Sequence, residues 1–111
     1  MDLHRDEVPS DEVWAVAVED GYGLDIEWFL LPATASEVYR ERVAWYARYM
    51  PTVDDNMDVA ITRWYVELPR RRMEREDVDA YVRSALYAPP DTYPIRRLDV
   101  KRFSAQRKAD A

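Results

Sequence analysis

The chain contains no cysteine, one histidine and two glycines in 111 residues. Without cysteine there can be no disulfide, no thiolate nucleophile and no thiolate-bound zinc. The lone histidine, His4, has no second histidine with which to share a metal. It lies in a polar stretch with nothing to orient it as a base. Ser10, Ser36, Ser84 and Ser104 are the only serines; none occupies a G-x-S-x-G turn, and no histidine is placed to complete a triad. No apolar run approaches the roughly 18 residues that span a bilayer. Met1 to Ser10 has neither the basic nor the apolar region of a signal peptide. The expectation is a cytoplasmic, non-enzymatic protein with no cofactor, no metal and no membrane association.

What is present is an ordered composition with an uneven charge. Hydrophobic residues make up 48% and aromatics 13% of the chain, far above the range of disordered acidic tails. A chain of this length forms one domain and buries roughly 65% of the surface that it exposes when unfolded. From Met1 to Glu27 nine acids face only Arg5, a net of −8, whereas Arg70 to Ala111 has eleven bases against seven acids, a net of +4. The whole chain carries −6. Such a gradient biases which partners approach and in what orientation, without determining a fold.

Hydrophobic periodicity divides the chain into six elements. Val13 to Val18 is apolar at every position, as a central strand covered on both faces requires. Glu19, Asp20, Gly21, Tyr22 and Gly23 supply turn chemistry, and Leu24 to Leu31 alternates as a second strand, so a hairpin is expected. Ala33 to Met50 changes to helical period, with Thr34 or Ser36 as N-cap candidates and Pro51 as its stop. Met57 to Leu68 reads as a long strand, Glu74 to Tyr87 as a helix with an acidic first turn, and Ile95 to Phe103 as a last strand with an irregularity at Arg96 and Arg97.

The order is ββαβαβ, an α+β protein. Two right-handed crossovers lead to a two-layer sandwich: a four-stranded mixed sheet with both helices on one face. Residues 1–12 read as an acidic tail, 13–103 as the domain and 104–111 as a polar tail. On this reading the second sheet face, carrying Phe29, Leu31, Val59, Ile61 and Tyr65, has no cover. It is expected to pair with a second copy, as a homodimer, or with a partner.

Three sets of residues offer chemistry. Asp54, Asn56 and Asp58 reproduce the opening of a calcium loop, but Val59 replaces the required glycine and Tyr65 the required glutamate, so a solvated turn is expected instead of a metal site. Arg70, Arg71 and Arg72, with Arg75, Arg96, Arg97, Lys101 and Arg102, are a possible second patch for phosphate. Neighbouring acids and the net negative charge weigh against nucleic acid. Arg42 falls inside the apolar arc of the first helix, where it must either reach water along its stem or pair with a carboxylate. With Trp45 and Tyr49 it forms a candidate aromatic anchor, although core packing is the default for such residues.

These features favour a small protein-interaction module of the inhibitor, immunity-protein or nucleic-acid-mimic type. It would dock an acidic N-terminal surface, Glu19, Asp20, Asp25 and Glu27 with Phe29 and Tyr65, on a basic partner. The alternative is a dimeric α+β protein that binds a small apolar ligand between sheet and helices, with catalysis as a further option.

Overall fold

Six elements follow one another in the ββαβαβ order: β1 (Glu12–Asp20), β2 (Gly23–Phe29), α1 (Pro32–Val53), β3 (Val59–Glu67), α2 (Arg75–Tyr87) and β4 (Ile95–Phe103). The computed structural model describes residues 7–53, 58–69, 73–88 and 95–104. His4, Asp54, Asn56, Arg70, Arg71 and Arg72 lie outside the described residues, as does 105–111.

The four strands form one sheet in the order β2-β1-β3-β4. β1 is central, which explains its unbroken apolar run: Val13, Ala15 and Ala17 face one way, Val16 and Val18 the other, and all five are buried. Every neighbouring pair is antiparallel, so the expected mixed sheet is corrected to an antiparallel one. The cause lies in the connections. β2 and β3 are parallel but separated by β1, so α1 is the only crossover between parallel strands. α2 leaves β3 and returns to its antiparallel neighbour at the same end of the sheet, where Val66 pairs with Ile95. The right-handed rule governs only parallel connections, so nothing obliges α2 to share a face with α1.

It does not share one. Val78 and Val82 of α2 pack with Val13, Ala15, Ala17, Trp64 and Val66. Ala35 of α1, with Val38, Tyr39, Val43 and Tyr46, packs with Val16, Val18, Val59 and Ile61. Adjacent residues of a strand point to opposite faces, so the helices flank the sheet, and the expected two-layer arrangement becomes three layers. The face read as uncovered lies beneath α1: Val59 and Ile61 are buried and Phe29 packs against the same cluster. The premise of a homodimer through that face is removed. Leu31 lies beyond the end of β2 and is exposed.

Local chemistry sets the ends of the elements. Asp20 Oδ1 accepts the backbone N–H groups of Tyr22 at 2.8 Å and Gly23 at 3.2 Å, closing a two-residue hairpin loop between Asp20 and Gly23. Gly23 sits at φ +148°, where L side chains are rarely found. Pro32 occupies the first position of α1, where its missing N–H costs nothing. Thr34 and Ser36 are therefore inside the helix, and Ser36 Oγ accepts from Arg40 at 3.0 Å. The helix runs through Pro51 to Val53, three residues past the expected end at Met50. Leu98 is the residue skipped between the Arg63–Asp99 and Trp64–Arg97 pairs, so the irregularity in β4 falls one position after Arg97.

The approach to β1 is also part of the packed structure. Val8 is 1% exposed and its N–H donates to the Met73 carbonyl at 2.7 Å. Leu68 N–H donates to the Asp11 carbonyl at 2.9 Å. Residues 7–11 thus run beside the β3–α2 connection and add an apolar side chain to the α2 core. Burial of each such valine contributes roughly 1.5–3 kcal/mol.

Candidate functional site

α1 begins where β2 ends and runs back along the sheet toward the β1–β2 hairpin tip. Its second half therefore lies beside the acidic turn, and side chains from the two elements meet there. Arg42 Nη2 donates to Glu27 Oε1 at 2.6 Å, and the Tyr46 hydroxyl donates to Asp20 Oδ2 at 3.2 Å. The charge inside the apolar arc is thus paired with the neighbouring edge strand, and both partners remain roughly one-third exposed or more. Burial, followed by the nearby Asp20 carboxylate, holds the Tyr46 hydroxyl above its ordinary pKa, while Arg42 acts in the opposite direction.

A cleft of about 390 Å³ opens between these elements, with Asp20, Tyr22, Asp25, Arg42 and Tyr46 among its walls. Two acids of the hairpin have structural roles: Asp20 caps its loop and Glu27 holds Arg42. Asp25 is exposed and makes no hydrogen bond or ion pair among the described residues. Trp45 and Tyr49 extend the aromatic surface beyond the cleft. They are 48% and 40% exposed, their ring centroids are 5.0 Å apart, and Trp45 also meets Tyr46 edge-on at 4.8 Å. Arg48 lies 5.5 Å from the centre of the Tyr49 ring. Tyr22, at the hairpin tip, is 80% exposed.

The structure therefore brings the acidic hairpin residues and the aromatic anchor together, although they are about twenty positions apart in the chain. Three of the sequence-derived contacts are not in this group. Phe29 is half-buried under the start of α1, and Tyr65 donates its hydroxyl to Glu12 Oε1 at 2.7 Å beside Trp14. That hydrogen bond, aided by burial and the Glu12 charge, pushes the Tyr65 pKa up to about 12. Glu19 is exposed and faces a second surface cleft with Asp58, Arg102 and Phe103. Tyr22 enters the sequence analysis only as a turn component; an aromatic residue set between two turn glycines is the signal the sequence offers.

The basic residues are divided by the sheet. Arg75 lies 5.0 Å from the Trp28 ring centre on the β2 side, whereas Arg96, Arg97, Lys101 and Arg102 all belong to β4 at the opposite edge and are exposed. They do not form one patch with Arg75. The charge gradient along the chain becomes a gradient across the sheet. β2 holds two acids and no base; β4 holds four bases and one acid, Asp99, which Arg63 grips at 2.6 and 2.8 Å.

Among the described residues no cluster of three or more potential metal ligands occurs, and no helix is long and apolar enough to cross a membrane. The space between α2 and the sheet is filled by Trp64, Val66, Val78 and Val82, all 0% exposed. Compared with protein-family models, curated proteins and solved structures, the chain matches none of them.

Proposed function

We propose that this protein is a non-enzymatic interaction module that docks the surface between the hairpin tip and α1 on a basic region of another protein. The observation that carries the reading is the placement of the unpaired Asp25 in one cleft with the exposed ring of Tyr22 and with Tyr46, against which the exposed Trp45 and then Tyr49 stack in turn. Acidic groups at the rim accelerate encounter with a positive surface. Aromatic side chains lose little conformational freedom on binding and supply most of the retained contact energy. Arginine and lysine side chains suit both components, since they pair with carboxylates and stack on aromatic faces.

The Arg42–Glu27 pair has a supporting role in this reading. It fixes α1 against β2, so the acids and rings are presented in one arrangement before a partner arrives. Such preorganisation reduces the ordering cost of binding. The filled interior beside α2 gives no corresponding support to a small apolar ligand.

An arginine- and lysine-rich peptide serves as the probe, with a glutamate-rich peptide of equal length as control. Amide resonances of residues 20–25 and 42–49 should shift on addition of the basic peptide, and affinity should fall as salt rises. Asp25→Lys should slow association, while Trp45→Ala should chiefly speed dissociation. Binding of both peptides alike, or basic-peptide affinity unchanged in the double variant, would refute the assignment.

A further inference from the structure

The two edges of the sheet are complementary to each other. β2 and β4 are its outer strands, and among the described residues neither has a partner along its outer side. Unpaired strand edges invite pairing with another chain, and charges commonly guard them. Here the guards have opposite signs: Asp25 and Glu27 on β2, and Arg96, Arg97, Lys101 and Arg102 on β4. β2 against β2, or β4 against β4, is repulsive. β2 against β4 is attractive.

Strand direction permits the same pairing. β2 is antiparallel to β1, β1 to β3, and β3 to β4, so β2 and β4 run in opposite directions. A second copy displaced sideways, without being turned over, sets its β2 antiparallel to the first copy's β4 and continues the alternation. The pairings define transverse rows of the sheet. Asp25, Val18, Ile61 and Lys101 form one row, and Ile26, Ala17, Thr62 and Val100 form the next. An unshifted copy thus brings Asp25 beside Lys101 on one face and Ile26 beside Val100 on the other. The row that would join Glu27 to Asp99 is unfavourable, but each of those acids already holds an arginine, Arg42 and Arg63 respectively.

The faces add a further match. α2 lies toward β2, where Trp28 Nε1 donates to Asp79 Oδ1. On the same face the β4 end presents Arg97, Val100 and Arg102, all exposed, with Val100 at 44%. We infer that this protein self-associates head to tail by antiparallel addition of β2 from one copy to β4 of the next. A heterologous contact of this kind produces rings or open chains, not a two-fold dimer. The inference stands apart from docking on a basic partner: Asp25 belongs to both surfaces, whereas Trp45 and Tyr49 belong only to the first.

Sedimentation velocity and native mass spectrometry of the full chain, over a wide concentration range at low and high salt, test this inference. The average mass should rise beyond that of a dimer with concentration, and salt should reverse the rise. Asp25→Lys, which makes both edges positive at this row, should remain monomeric. Lys101→Glu combined with Arg102→Glu, which makes both edges negative, should also remain monomeric. An equimolar mixture of the two variants should associate again, an outcome that misfolded variants cannot produce. Trp45→Ala should leave self-association intact. A wild-type chain that stays monomeric at every concentration, a saturating dimer insensitive to both edge variants, or a mixture that fails to associate overturns the inference; peptide binding tests the docking surface separately.

Discussion

Arg42 of α1 and Glu27 of β2 are joined at 2.6 Å, linking the middle of the long helix to the acidic edge strand. Both side chains keep more than a third of their surface in water, so solvent screening limits what the pair contributes to stability, to about 0.2–1 kcal/mol. Its greater consequence is positional. It holds α1, which carries Trp45 and Tyr49, against the strand that carries Asp25.

A double-mutant cycle with Arg42→Met and Glu27→Gln should therefore show a small coupling energy, within that range of about 0.2–1 kcal/mol, in urea unfolding with an unchanged m-value. Basic-peptide affinity should fall more than stability does. A coupling of several kcal/mol would mean that the pair is buried in solution.

Asp20 combines a local and a tertiary task, since one oxygen caps the hairpin loop and the other accepts from Tyr46. Asp20→Ala removes all three hydrogen bonds and should cost about 1–3 kcal/mol of unfolding free energy. Asp20→Asn retains an acceptor oxygen for the loop and should cost less. Equal losses in the two variants, measured by denaturant midpoint, would contradict the capping role.

Trp64 is 0% exposed, and its indole Nε1 has no hydrogen-bond partner among the described residues. Trp64→Ala should cost about 3–5 kcal/mol through lost burial and a cavity. Trp64→Phe loses less volume and also removes an unsatisfied donor, whose burial carries a penalty of about 1–3 kcal/mol. Its destabilisation should be a small fraction of the alanine value in thermal or urea unfolding. Similar costs for the two variants would indicate that the indole N–H is satisfied in solution.

Tyr65 provides the pH prediction. Its folded-state pKa is raised from 10.0 to about 12, first by the hydrogen bond to Glu12. The native state therefore keeps a proton that the unfolded state releases between those values. The associated stability is fully present below pH 10 and is lost as pH rises toward about 12. Ultraviolet titration of the tyrosines should show a late phenolate step that is absent from Tyr65→Phe. The variant's stability should also fall less steeply across that interval. A titration in which all tyrosines ionise near 10 would exclude the Glu12 hydrogen bond in solution.

Several features of the fold were legible before any coordinates. The continuous apolar run from Val13 to Val18 identified a strand covered on both sides, and the period change after Pro32 identified α1, because burial imposes those spacings within a single element. Helical period puts Ala35, Val38, Tyr39, Val43 and Tyr46 on one arc of α1, and these residues face the sheet. It assigned Trp45 and Tyr49 to the core by default, whereas their positions at the rim of the arc leave them exposed. Periodicity locates the centre of a buried stripe better than its edge.

By itself, the sequence determined the number, kind and order of elements, the acidic hairpin, and the side chains that share a face of each element, all of which follow from local spacing and turn chemistry. Only the tertiary structure decided which strand neighbours which and which helix covers which face. Those outcomes depend on where α2 returns, and a return to an antiparallel neighbour is free of the handedness that binds a parallel crossover. The same step converted a charge gradient along the chain into opposed charges at the two edges of the sheet, because sequence records distance along the backbone whereas pairing determines distance in space.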